Sequence, residues 1–130
     1  MPKLNHVGIA VREINKFAEL FEKLFGVKFS PVKNLDSQRV YLRLGETEGT
    51  KIELISPSAA DSPISKFLEK RGEGLHHICL EVENLDTALQ DLKKKGVEII
   101  GPPTLGGSEK KIVFLHPKST GGVLVELKEK

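Results

Sequence analysis

Hydrophobic and polar residues alternate along two eight-residue stretches of the chain, and the two stretches match each other. The first is Leu4–Val11 and the second is Leu75–Val82, and both follow the pattern L-x-H-[VI]-x-[IL]-x-V. Alternation with a period of two predicts a strand in each stretch. The histidine of each strand, His6 or His77, then shares one face with small or polar residues, while the opposite face is apolar.

A second motif repeats in step with the first. Ile52-Glu53-Leu54 and Val125-Glu126-Leu127 are short apolar stretches with one glutamate at the centre. Glu53 follows His6 by 47 residues, and Glu126 follows His77 by 49. Self-similarity at a fixed spacing indicates an internal repeat, here of two half-units of about sixty residues.

The residues between these motifs predict the order β-α-β-β-β in both halves. Apolar residues at helical spacing predict a helix over Ile14–Phe25, ended by Gly26. They predict another that is marked by Leu85, Ala88, Leu89 and Leu92, with Asn84 as its N-cap and Gly96 as its stop. A short helix is predicted in the linker, at Ile64–Lys70. The other predicted strands are Val27–Val32, Arg39–Leu44, Thr50–Ile55, Val97–Ile100, Lys111–Leu115 and Val123–Leu127, and the longest predicted loop is Pro102–Lys110.

Composition narrows the class of protein. A chain of 130 residues fits one domain, residues 1–130, built from modules at about 4–56 and 75–128. Its net charge of +2 argues against a nucleic-acid footprint, and no apolar run reaches membrane length. A single cysteine excludes an intramolecular disulfide and favours a cytoplasmic location. Since the first strand begins within a few residues, no signal peptide is expected.

Two equivalent modules would bring His6, Glu53, His77 and Glu126 to equivalent places about a pseudo-twofold axis. Two imidazoles and two carboxylates suit a divalent ion such as Co, Mn, Ni, Fe or Zn. Four protein ligands in a six-coordinate site leave two positions for water or substrate, as in catalytic sites. Taken singly, each residue also fits an ordinary structural histidine or a half-exposed glutamate. The repetition of both in register favours the metal.

The chain resembles the vicinal-oxygen-chelate superfamily (glyoxalase, bleomycin resistance, dioxygenase), and within it the methylmalonyl-CoA epimerases. The resemblance runs from His6 to Leu127. It implies an α+β fold in which two tandem β-α-β-β-β modules form a curved mixed sheet around a metal site. The most specific motifs are His6-Val7-Gly8-Ile9-Ala10-Val11, Lys51-Ile52-Glu53-Leu54, Gly72-Glu73-Gly74-Leu75-His76-His77-Ile78, Phe114-Leu115-His116-Pro117-Lys118-Ser119 and Gly122-Val123-Leu124-Val125-Glu126-Leu127.

The resemblance implies an isomerase that interconverts the two epimers of methylmalonyl-CoA, by removing the C2 proton through a metal-stabilised enolate. It implies His6, Glu53, His77 and Glu126 as ligands, Co²⁺ as the first candidate ion with Mn²⁺, Ni²⁺ or Zn²⁺ as others, and a homodimer that binds a CoA thioester. Glu126 is the first candidate for proton transfer, and Glu53 is its pseudo-symmetric counterpart.

Four further residues are predicted to contact the substrate. Some epimerases carry a glutamate, proposed as a proton-transfer base, where this chain has Arg39, next to Gln38. In the loop after the seventh strand, Lys118 and Ser119 are placed to contact the CoA or acid portion, with Lys118 countering negative charge. A solvated turn is the alternative for that loop.

Three other functions stay open. Several epimerases have Gln at the position of Glu53, and a Glu there is also the ligand set of glyoxalase I, which acts as a lactoylglutathione lyase. The acidic D-P-[DE]-G turn typical of glyoxalases is missing from this chain. A non-catalytic small-molecule-binding protein is a further alternative, although such proteins usually lack the full ligand set. An iron dioxygenase fits less well, because its two-histidine, one-carboxylate triad is exceeded here by a second glutamate.

Overall fold

Eight strands and three helices build the protein. The computed structural model describes all residues, 1–130. None of the three helices is both long and apolar enough to cross a membrane. The elements are β1 (Lys3–Ala10), α1 (Ile14–Phe25), β2 (Lys33–Leu35), β3 (Val40–Glu46), β4 (Lys51–Pro57), α2 (Pro63–Arg71), β5 (Gly74–Val82), α3 (Leu85–Lys94), β6 (Ile99–Leu105), β7 (Lys111–Leu115) and β8 (Val125–Glu129).

The chain divides into two compact units. The first unit is residues His6–His76, and the second combines Met1–Asn5 with His77–Lys130. The order β-α-β-β-β predicted for each half is confirmed, and the short linker helix, α2, belongs to the first unit. Both units have mixed sheets with helices packed against them, which confirms the α+β class.

In the first unit the strands lie in the order β2-β3-β4-β1. β3 and β4 are antiparallel, whereas β1 runs parallel to β4 with Gly8 opposite Glu53. One face packs against α1 through a cluster containing Val11, Ala18 and Leu54. On the other face α2 supplies two side chains to a second cluster, whose buried members are Ala10, Val40, Leu42, Ile55, Ile64 and Leu68.

In the second unit the strands lie in the order β5-β8-β7-β6. β5 and β8 are parallel with Cys79 opposite Glu126, and β7 is antiparallel to β8. The helix α3 packs against one face through Leu85 and Leu89. Burying a leucine side chain contributes roughly 1.5–3 kcal/mol. The sheet contributes Val113, Leu115, Val125 and Leu127 to this cluster.

The predicted helix ends are confirmed. Gly26 follows α1 in the left-handed region at φ 72°, and its N–H donates to the carbonyl of Glu22. A side chain at this φ would be strained, which is why glycine is favoured there. At the start of α3, the Asn84 side chain accepts a hydrogen bond of 2.9 Å from the N–H of Thr87.

Three strand predictions need correction. Val27–Val32 is not a strand: within it Phe29 makes only an isolated bridge to Gly45, and the strand β2 follows it at Lys33–Leu35. β6 continues to Leu105, through two prolines predicted as loop, and its pairing with β7 is irregular after Ile100. Proline is tolerated there because β6 is the last strand of its sheet. β8 begins at Val125 rather than at Val123.

Candidate active site

The first unit brings His6 and Glu53 together. His6 lies on β1 and Glu53 on the neighbouring parallel strand β4, and the Nε2 atom of His6 is 3.6 Å from the Oε1 atom of Glu53. Both side chains are largely buried, with 6% and 14% of their surface exposed. A carboxylate removed from water in this way is stabilised only by a partner that compensates its charge.

The second unit brings His77 and Glu126 together in the same way. The Nε2 atom of His77 is 3.2 Å from the Oε1 atom of Glu126, and their side chains are 3% and 9% exposed. In both units the glutamate lies opposite the residue two positions after the histidine. Glu53 lies opposite Gly8, and Glu126 lies opposite Cys79. The repeat seen in the sequence is therefore also a repeat of strand register.

Each half presents one imidazole and one carboxylate on a single face of a sheet. Imidazole nitrogen and carboxylate oxygen are donors that divalent transition metals accept, so the residues in each unit fit half of a four-ligand site. Strands of a sheet hold such side chains at fixed spacing, which is an advantage for a site that must keep its geometry.

Residues around the second pair differ from those around the first. Cys79 is fully buried, and its sulfur lies within 4.8 Å of a carboxylate oxygen of Glu126. The ring of Phe114 stands edge-to-face against the imidazole of His77, with centroids 5.8 Å apart and planes at 82°. No role for Phe114 is predicted from the sequence. The ring lies beside the pair because Phe114 is opposite Glu126 on the antiparallel strand, and directly opposed residues share a face.

The remaining histidines have structural surroundings. His76 stands edge-to-face against Phe67, with centroids 4.8 Å apart. His116 lies before a single 3-10 turn, where its Nδ1 atom accepts a hydrogen bond from the N–H of Lys118.

Three of the four residues predicted to contact the substrate, Arg39, Lys118 and Ser119, are held by protein partners in the structure. The Nζ atom of Lys118 lies 2.8 Å from Oε1 of Glu98, and the hydroxyl of Ser119 accepts a 2.9 Å hydrogen bond from the N–H of Glu98. The hydrogen bond from Lys118 lowers the pKa of the Glu98 carboxyl. Arg39 pairs with Asp61 and has φ 55°, directly after the 3-10 turn that ends at Gln38.

Comparison with known proteins places this geometry in a family. The model of the glyoxalase/bleomycin resistance protein/dioxygenase superfamily matches residues 5–114. The chain belongs to this superfamily. The mitochondrial methylmalonyl-CoA epimerase of Homo sapiens is 41% identical over 129 residues, which is 98% of this chain and 73% of that protein. The ethylmalonyl-CoA/methylmalonyl-CoA epimerase of Cereibacter sphaeroides is 38% identical over 98% of this chain and 97% of its own length.

A solved structure agrees with these relatives. The methylmalonyl-CoA epimerase of Streptomyces coelicolor, a variant in complex with 2-nitronate-propionyl-CoA, superposes with a TM-score of 0.91 at 30% identity. The alignment covers 98% of this chain and 96% of that one. The resemblance to methylmalonyl-CoA epimerases inferred from the motifs is confirmed, and the glyoxalase I alternative is not favoured.

Proposed function

We propose that the protein is a metal-dependent methylmalonyl-CoA epimerase, which interconverts the R and S forms by moving the proton on C2. The observation that carries the proposal is the match to epimerases along nearly the whole chain, at about 40% identity. Two buried His–Glu pairs in the same strand register support it, because they give each half of the chain the donors that such a reaction needs.

His6, Glu53, His77 and Glu126 together hold one divalent cation in this proposal, with Co²⁺ first and Mn²⁺, Ni²⁺ or Zn²⁺ as other candidates. Support comes from the donor set, two imidazoles and two carboxylates, and from the equal register of the two pairs. When bound, the ion would supply Lewis-acid stabilisation of negative charge on the substrate oxygens.

The two glutamates carry the proton in this proposal. The C2 proton of the substrate lies between a thioester and a carboxylate, which makes it acidic enough for a carboxylate base at close range. Glu126 takes or returns the proton on one face of C2, and Glu53 serves the other face. Replacing Glu126 with Gln removes the base while keeping the size of the side chain. Full turnover in Glu126→Gln would exclude Glu126 from proton transfer.

The substrate contacts stay part of the proposal. The guanidinium of Arg39 already binds a carboxylate, that of Asp61, so it has the chemistry to bind a substrate carboxylate, with Gln38 beside it. Lys118 and Ser119 lie in the turn before β8, and a CoA anion would compete with Glu98 for the ammonium of Lys118.

Assembly and location complete the proposal. A homodimer would cover apolar side chains that α1 leaves exposed, Leu20, Leu24 and Phe25. The mass of the protein in solution tests this directly. A cytoplasmic location fits a chain whose one cysteine, Cys79, forms no intramolecular disulfide. The human relative is named as mitochondrial.

The experiment that tests the function is proton NMR of methylmalonyl-CoA in D2O. With metal-loaded protein, the C2 proton signal disappears and the methyl doublet collapses to a singlet, much faster than without protein. Removing the metal with EDTA returns the rate to the background. If the C2 proton persists with metal bound, the epimerase proposal is wrong, and conversion of a glutathione hemithioacetal to lactoylglutathione is then the assay that tests the alternative.

A further inference from the structure

The two units differ at the pair of opposed residues that lies two positions after the glutamate, on the same face of each sheet. In the first unit Ala10 lies opposite Ile55, and in the second unit the corresponding residues are Glu81 and Lys128. Because side chains alternate along a strand, Lys128 lies on the same face as Glu126, and Glu81 on the same face as His77. The same place in the repeat is therefore apolar in one unit and charged in the other.

The packing against these positions also differs between the two units. Ala10 and Ile55 are buried in the cluster to which α2 contributes Ile64 and Leu68. In the second unit the helix α3 packs against the opposite face, through Val125 and Leu127. Glu81 and Lys128 are only half-buried. The second unit thus presents a charged pair of positions where the first unit has a helix-covered apolar core.

The ammonium of Lys128 has no ion pair within the structure, whereas Glu81 accepts a hydrogen bond of 3.1 Å from the Asn5 side chain. The lysines of this unit that pair with carboxylates are Lys95, Lys111, Lys118 and Lys130. Lys128 is half-buried as a residue and its ammonium has no carboxylate partner, so an anion that reaches it forms a charge-assisted hydrogen bond without displacing an ion pair.

The wall beside Lys128 is formed before any ligand arrives. Ile112 lies opposite Lys128 on β7 and is 2% exposed. Gly106, at the tip of the β6–β7 hairpin, lies so close that a Cβ there would be 2.9 Å from a methyl carbon of Ile112. Only glycine fits this approach, which holds the hairpin tip against the residue beside Lys128.

From these observations we infer that Lys128 binds an anionic oxygen group of the substrate, a carboxylate or a phosphate. The inference rests on the proposed function for the identity of the substrate, a CoA thioester of a dicarboxylic acid. Lys128 follows Glu126 by two residues, about 7 Å along the strand, which is within the length of one such molecule. Both anionic sources, the acyl carboxylate and the CoA phosphates, belong to that molecule.

The test compares Lys128→Gln with Lys128→Arg and with the control Lys95→Gln, which removes an equal charge from α3 that pairs only with Asp91. At low ionic strength, Lys128→Gln raises the KM for methylmalonyl-CoA about tenfold with kcat changed less than about twofold, as expected for one charge-assisted hydrogen bond. Lys128→Arg restores most of the affinity, and Lys95→Gln leaves KM unchanged. Equal KM values for Lys128→Gln and Lys95→Gln would overturn the inference.

A second substrate separates the two anions. Methylmalonyl-pantetheine keeps the acyl carboxylate and lacks the CoA phosphates. If the KM effect of Lys128→Gln persists with this substrate, Lys128 binds the carboxylate, and if the effect disappears, Lys128 binds a phosphate. Calorimetric titration of malonyl-CoA into the metal-loaded protein measures binding alone, so it tests the role of Lys128 independently of the epimerase reaction. Suppose that Lys128→Gln binds malonyl-CoA more weakly than the unchanged protein does, while the unchanged protein exchanges no C2 proton of methylmalonyl-CoA. That result supports the lysine site and rejects the epimerase proposal. Equal binding rejects the lysine site.

Discussion

The two units pair their histidine and glutamate strands in the same register, but they differ in the helices that pack on their sheets. In the first unit α1 and α2 pack on opposite faces of the sheet, and α2 closes one end of the face that carries His6 and Glu53. In the second unit only α3 packs against the sheet, on the face opposite His77. A duplicated His–Glu pair can therefore be kept while the rest of its face diverges, into an apolar core in one unit and a half-buried charged surface in the other.

Removing the histidine of either unit tests whether the two units contribute equally to the reaction, and we expect this change to have the greatest effect on the rate. His6→Ala and His77→Ala should each lower the rate of C2 proton exchange by at least about a thousandfold, because losing a ligand removes several kcal/mol of charge stabilisation. The rate is measured by NMR at saturating metal. His76→Ala is the control, since His76 packs against Phe67. A loss confined to one of the two variants would show that the halves are not equivalent.

The second prediction concerns the helix that distinguishes the units. Leu68 of α2 and Leu89 of α3 are buried to the same degree, at 5% and 6% exposure. Replacing either with Ala should reduce the free energy of unfolding by about 3 kcal/mol, measured in urea, because each leaves a cavity in a core cluster. Only Leu68→Ala should also weaken metal binding, since α2 packs on the face that carries His6. Equal metal affinity in the two variants would contradict this role of α2.

The third prediction concerns the ring of Phe114, which packs on one of the proposed ligands, His77. Phe114→Leu should weaken Co²⁺ binding about three- to tenfold, because an edge-to-face pair contributes about 0.5–1.5 kcal/mol and fixes the imidazole. Leucine is chosen because Leu44 lies opposite Glu53 in the first unit, as Phe114 lies opposite Glu126 in the second.

Phe67→Leu is the matched control for Phe114→Leu, since it removes a ring that packs at the same 82° against the neighbouring histidine, His76. Its Co²⁺ affinity should fall less than that of Phe114→Leu in calorimetry, because Phe67 packs on the α2 cluster and not on a proposed ligand. A visible Co²⁺ spectrum altered in Phe114→Leu alone separates orientation of the ligand from a general loss of packing.

The smallest effect is expected in the turn before β8. Lys118 lowers the pKa of Glu98 in the folded protein, so this interaction stabilises the fold above the unfolded pKa of the carboxyl and is lost as the pH falls through the lowered, folded value. Lys118→Gln should therefore have a slightly lower Tm than the unchanged protein at pH 7, and the difference should vanish in acid. A difference in Tm that is constant with pH would contradict the pairing with Glu98.

Local pattern predicted most of the fold because hydrophobic period and helix capping are local signals. The strands of both histidines, the helix ends at Gly26 and Asn84, and the repeated element order follow from them. β2 was misplaced because two of its three residues, Lys33 and Asn34, are polar and exposed, so the strand depends on pairing with β3 more than on burial. β6 was predicted too short because a strand at the end of a sheet tolerates prolines that would end a strand elsewhere.

In the candidate site, too, some features could be predicted from local sequence and others could not. The four proposed ligands were predictable because His and Glu recur in register. The surroundings of Phe114 and the pairing of Lys118 with Glu98 were not, because they depend on which strands become neighbours. Opposed residues on β7 and β8, and the turn that brings Lys118 to the start of β6, are set by tertiary structure.

The most direct measurement is the number of Co²⁺ ions bound per chain, by calorimetry and metal analysis, in the unchanged protein and in His6→Ala and His77→Ala. If the two units supply equal halves of one centre, the unchanged protein binds one ion per chain, and each variant binds far more weakly than the unchanged protein. Two ions per chain, or tight binding that survives one of the two substitutions, would contradict a single centre built from both His–Glu pairs.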